Sequence, residues 1–72
     1  MPKKNSIREE VIKDLCYGTE YNITKVELQN AYLATDAGQG QKGSEIADEM
    51  IKQNERQLAG LRSELEFFKT CK

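Results

Sequence analysis

The sequence predicts an all-α protein of three helices, and three observations lead to this prediction. The last 29 residues, Ser44 to Lys72, contain no proline and only one glycine. Two further segments begin with a serine or threonine followed three residues later by glutamate, the capping box that opens many helices. A glycine-rich stretch separates these segments from the long C-terminal one. We expect one domain over 1–72, with helices at about 7–16, 25–37 and 45–71 and a flexible segment at 1–5.

Helix 1 is predicted from the capping box at Ser6 to Glu9. The serine oxygen accepts from the backbone of residue 9, and the glutamate carboxylate reaches back to the amide of residue 6. Gly18 is expected to end this helix. Its apolar residues recur at intervals of three and four, as on a one-sided helix, at Ile7, Val11, Ile12, Leu15 and Cys16.

Helix 2 is predicted from the second capping box, Thr24 to Glu27, where Ile23 can pack on Leu28 as a hydrophobic staple. The preceding residues leave an alternative open. Alternation of apolar and polar residues from Tyr17 to Ile23 is also compatible with a short strand, although a lone strand would have nothing to pair with.

Three glycines in six residues, from Gly38 to Gly43, predict a loop. Ser44 is then expected to cap helix 3, whose first turns are acidic and whose last turn is basic, the order that the helix dipole favours. Helices 2 and 3 should form a hairpin about this loop, with helix 1 packed on the remainder of helix 3.

Helix 3 carries a continuous apolar seam of heptad type, with mixed charges beside it. At about 40 Å the helix is longer than a compact chain of this size, so helices 1 and 2 could cover it only end to end. The seam is therefore either the core of a three-helix monomer or an interface that makes the protein a homo-oligomer. Asn54 would fix the register of such a seam, or else face solvent. The candidate interface residues are Ile51, Asn54, Leu58, Leu61, Leu65 and Phe68.

Catalysis is not expected, because the chain has no histidine and so lacks the usual general base and the commonest metal ligand. Neighbouring carboxylates on the helices are explained by solvation and by the helix dipole. Cys16 and Cys71 have no metal-ligand spacing and are expected to be reduced thiols. We predict no enzyme activity, no cofactor and no metal site.

One segment could bind a small anion. Lys42, Gly43 and Ser44 lead into the start of helix 3, where free amides, the dipole and the ammonium group converge. The spacing is not that of a P-loop. The simpler interpretation is that these glycines only allow the hairpin to turn.

The charge of the chain limits which classes of partner are expected. The net charge is −1, and the basic residues near the N-terminus are interrupted by acidic ones, which argues against nucleic acid as a partner. Neither a signal peptide nor a membrane span is apparent, so a cytoplasmic location is expected. The sequence favours a self-assembling adaptor or inhibitor that docks on another macromolecule. An anion-binding oligomer is the alternative, and a small DNA-binding regulator is the third possibility.

Overall fold

The computed structural model describes the backbone of residues 3–71 and the side chains of residues 6–71. It contains α1 (Lys3–Leu33), α2 (Asp36–Lys42) and α3 (Ser44–Thr70), and no strand occurs among the described residues. The predicted all-α class is thus confirmed. Of the segment 1–5 expected to be flexible, Met1 and Pro2 lie outside the described residues, and Lys3 to Asn5 form the first turn of α1.

The predicted helices 1 and 2 are wrong as separate elements, because α1 is one helix of 31 residues. Gly18 lies inside this helix instead of ending it, and Thr24 does not cap a helix start. The alternative strand from Tyr17 to Ile23 is also wrong. The two predicted helices do lie end to end along α3, but they are fused.

The reason is packing against α3. Positions spaced alternately by four and three residues continue across Gly18 without a break, so the segment between the two predicted helices also supplies side chains to the contact. A glycine costs about 1 kcal/mol in a helix interior, which a continuous packed face outweighs. The facing side chains of α1 are those of Ile12, Cys16, Thr19, Ile23, Val26, Asn30 and Leu33.

The predicted glycine loop is also wrong, since residues 36–42 form the short helix α2. Thr35 caps it: its Oγ1 accepts from the amide of Gly38 at 3.1 Å and donates to the carbonyl of Tyr32 at 2.6 Å. Gly38 is buried against the end of α1, where only a residue without a side chain fits. Local capping and this close approach together let a glycine-rich segment be helical.

Helix α3 begins at Ser44, within one residue of its predicted start. Ser44 is not the cap, however. Gly43 holds that position with φ of 87°, a conformation that favours glycine, and no side chain caps the helix. The single residue Gly43 therefore ends α2 and starts α3.

The chain is an antiparallel hairpin of α1 and α3 with α2 at its closed end. Its extents are 58 × 16 × 11 Å and its radius of gyration is 16.8 Å, against about 11 Å for a compact chain of this length. Among the described residues, the buried apolar side chains are only those of Val26, Leu33, Ala47 and Leu58.

We expect Gly38→Ala to lower the free energy of unfolding by about 1–3 kcal/mol. The new Cβ would collide with the carbonyl oxygen of Tyr32 and lie 2.8 Å from the Cα of Leu33. Both are backbone atoms, which cannot swing aside. Urea unfolding followed by circular dichroism measures the change.

Gly40→Ala is the matched control, because it lies in the same helix and a Cβ there would meet nothing within 4 Å. Alanine should stabilise this position by about 0.5–1 kcal/mol. Equal effects of the two substitutions would contradict the packing of α2 on α1.

Candidate interaction surface

The predicted seam of α3 faces α1. Leu58 is buried and the other five candidate residues are half-buried along the same side of the helix. The structure thus brings all six together, as the packing surface of the hairpin. That the seam also joins one copy to another remains a prediction.

The register of the hairpin is fixed by a pair of amides. Asn54 Nδ2 donates to Asn30 Oδ1 at 2.8 Å, and Asn30 Nδ2 donates to the carbonyl of Ile51 at 3.5 Å. Because the helices are antiparallel, moving from this pair towards the C-terminus of α3 corresponds to moving the same number of residues towards the N-terminus of α1. Val26 therefore lies opposite Leu58, and Cys16 lies opposite Phe68.

This register leaves the start of α1 without a partner helix. Thr70, the last residue of α3, lies opposite about residue 14 of α1, so residues 3–13 extend roughly 16 Å beyond it. We call residues 3–13 the overhang. Ile7 and Val11 in the overhang are exposed, and they line one groove with Phe67 and Phe68 at the end of α3.

The α1–α3 contact has two long edges, which differ in the side chains that lie beside them. On one edge Arg62 Nη2 lies 2.8 Å from Glu27 Oε2, an exposed ion pair. We call the broad face on this side the charged face. The heptad positions beside the seam there hold Lys13, Glu20 and Glu27 on α1 and Asp48, Glu55, Arg62 and Lys69 on α3.

Three shallow grooves follow one another along the opposite broad face, which we call the groove face. The groove at the closed end, of about 480 Å³, is lined by Leu28, Tyr32 and Met50, with Lys42 at its rim. The groove at the open end, of about 530 Å³, is lined by apolar residues of α1 and by Arg8, together with Phe67, Phe68 and Cys71. The groove face is thus apolar at both ends.

The middle groove of this face, of about 270 Å³, is polar. Amide side chains and one lysine surround it, together with the edges of two seam residues. The groove face therefore changes from apolar to polar and back along its length. The polar side chains are those of Asn22, Lys25, Gln29 and Gln57.

The alternative anion site is not assembled as a pocket of donors. Gly43 separates the two helices, and its amide donates to the carbonyl of Gln39 at 2.8 Å. Lys42 ends α2 and lines the apolar groove beside Tyr32, while Ser44 is the exposed first residue of α3. Anion binding at Lys42 to Ser44 remains a prediction.

Other chemical features are sparse in the part of the chain that the structure describes. Its His, Cys, Asp and Glu side chains form no cluster of three or more that could hold a metal ion. Both cysteines are free and half-buried. Within residues 3–71, no helix combines the length and apolar character needed to cross a membrane.

Sequence reasoning missed the groove face because it divided α1 into two helices. A helix that starts at Thr24 predicts that Leu28 packs on Ile23 as a hydrophobic staple, and it gives no register between the two halves of α1. In the structure Leu28 is exposed. The signal that could have shown this is the heptad spacing of α1, which runs from Ile12 to Leu33.

Comparison with known protein families, with curated proteins and with solved structures finds no match to this chain.

We expect Asn54→Leu to destabilise the hairpin by about 1–3 kcal/mol, because it leaves the part-buried Asn30 Oδ1 without its donor. The double variant Asn30→Leu, Asn54→Leu should recover most of this loss, since both polar groups are then removed. A double-mutant cycle of urea unfolding measures the coupling.

Arg62→Ala serves as the control, because its ion pair with Glu27 is exposed and should contribute less than about 1 kcal/mol. If the Asn54 and Asn30 substitutions were simply additive, the amide pair would not set the register.

Proposed function

We propose that this protein is a non-enzymatic, self-assembling interaction protein, which acts as an adaptor or inhibitor by docking on another macromolecule. The observation that carries the proposal is that the chain exposes more surface than a compact monomer of the same mass would. The chain exposes 5712 Å², whereas a compact monomer of 8.2 kDa would expose about 4,500 Å². The difference exceeds one partner's share of a standard interface, about 800 Å².

Much of this exposed surface belongs to large apolar side chains. Nine of them are exposed among the described residues, against four buried apolar residues in the core. Burial of a large apolar side chain contributes roughly 1.5–3 kcal/mol. Association could therefore bury apolar surface that the single hairpin leaves in water. The nine are Ile7, Val11, Leu15, Tyr17, Tyr21, Leu28, Tyr32, Ile46 and Phe67.

The isolated hairpin has little else to support it. A helix in a pair has one neighbour and can bury one stripe, and the stripe of this pair includes an amide layer and Thr19. Helical stability in proteins comes mostly from such packing. A chain of 72 residues is short enough for oligomerisation to supply what its own core lacks.

A second surface supports docking on another macromolecule. Tyr17 and Tyr21 lie one turn apart on α1, beside Glu20 and Thr24 and away from α3. Both rings are more than half exposed. Tyrosine is enriched at protein interfaces because its ring is large and rigid and its hydroxyl is polar. Self-association through another face would leave this pair available.

The proposal predicts a solution mass of at least twice 8.2 kDa at tens of micromolar protein. Light scattering on a sizing column is the right measurement, because it gives mass independently of the elongated shape. The midpoint of thermal unfolding should also rise with protein concentration, since association stabilises only the folded chain.

A fully helical chain of 8.2 kDa whose melting temperature does not depend on concentration would overturn self-assembly. The seam and the exposed apolar residues would then belong to a monomer.

A further inference from the structure

The two broad faces of the hairpin differ in how well they could be buried. The charged face carries acidic and basic side chains at every position beside the seam, and burying them would require a partner for each. The corresponding positions of the groove face are Arg8, Leu15, Asn22 and Gln29 on α1 and Met50, Gln57, Glu64 and Cys71 on α3. Most of these are apolar or amide residues, which an interface tolerates.

We propose that the groove face is the docking site of a second copy of this chain, in an antiparallel two-fold dimer whose closed ends point in opposite directions. This inference rests on the proposed self-assembly and adds which face is buried and in which orientation. The dimer is a four-helix assembly in which the charged face of each copy stays in solvent.

The pattern of the groove face suits two-fold pairing. A two-fold interface buries the same patch of both copies, so the patch must be complementary to itself. In the antiparallel dimer the apolar open end of one copy lies on the apolar closed end of the other. The polar middle groove of one copy lies on the middle groove of the other, near the two-fold axis. There the amide side chains of each copy can donate hydrogen bonds to the other copy and accept them from it.

The available area also fits a second copy. A broad face of 58 × 16 Å covers roughly 900 Å², close to the 800 Å² that each partner contributes to a standard interface. A single docked helix, about 10 Å wide, would leave part of this face uncovered.

The overhang gives the orientation. In an antiparallel pair about an axis near Asn22, the overhang of each copy lies over residues 31–41 of the other, where Val11 can cover Tyr32. Leu28 then lies opposite residue 16 of the other copy, next to Leu15. In a dimer with both closed ends together, the two overhangs would lie side by side. The antiparallel dimer thus places an apolar segment of one copy over the apolar closed end of the other.

The first test compares two lysine substitutions on α1 in the full chain. Leu28 is 66% exposed and lies in the groove face, while Tyr17 is 71% exposed and lies away from it. Neither supports the hairpin core, so both variants should keep their helicity. We expect Leu28→Lys to raise the dimer dissociation constant at least tenfold and Tyr17→Lys to leave it unchanged, measured by sedimentation equilibrium.

The outcomes separate this inference from the proposed function. A monomeric wild type would overturn both. A wild-type dimer that Leu28→Lys leaves intact and Tyr17→Lys dissociates would overturn the groove face while self-assembly stands. Retained helicity by circular dichroism ensures that dissociation is not simply unfolding.

The second test measures orientation by cross-linking, with Cys16 and Cys71 both replaced by alanine. In the antiparallel two-fold dimer, α1 of one copy lies on α1 of the other. The two-fold axis then passes near Asn22 in the middle groove. Asn22→Cys should therefore form a disulfide-linked dimer under mild oxidation. Gln29→Cys, on the same face but about 20 Å from its copy, should not.

In a dimer with both closed ends together, α1 would lie on α3 of the other copy, and Asn22→Cys would have no thiol opposite. Failure of Asn22→Cys to cross-link in a chain that is still dimeric would overturn the antiparallel orientation. Glu20→Cys on the charged face controls for random collision and should stay reduced.

Discussion

Every other feature of this protein depends on the fact that α1 has only one long helix to pack against, with the short α2 at its end. A helix with a single neighbour buries one stripe of side chains and leaves the rest of its circumference in water. The register set by Asn30 and Asn54 decides which residues fall in that stripe. The short core, the exposed apolar side chains and the extension of α1 beyond the end of α3 all follow from this pairing.

Hydrogen bonds at the closed end help to explain how a hairpin with so few buried side chains keeps one register. Gln39 Nε2 donates to the carbonyl of Leu33 at 2.9 Å and to Asp48 Oδ1 at 3.2 Å, so one side chain ties the end of α1 to the start of α3. Tyr32 adds a bond to Gln41 Oε1 at 2.7 Å. These bonds hold the end of α1 and the start of α3 at a fixed spacing.

The sequence was sufficient for the helical class and for α3, because the apolar seam of α3 continues across its single glycine, Gly60, and no capping signal interrupts it. It was insufficient for α1, since Gly18 and Thr24 are local signals for an end and a start, and the contact with α3 overrides them. The face of α3 towards α1 was predicted correctly. The groove face was not, because it requires the register of two helices that lie far apart in the sequence.

The position of the turn has a consequence for how the hairpin opens and closes. Contacts near α2 join residues close in sequence, such as Leu33 and Gln39, whereas Cys16 and Phe68 are separated by most of the chain. Closing a longer loop costs more chain entropy, although only slowly with length. The two helices should therefore zip from the turn outward. The open end, where Phe67 and Phe68 meet edge to face at 5.9 Å, is the last part of the hairpin to form and the first to fray.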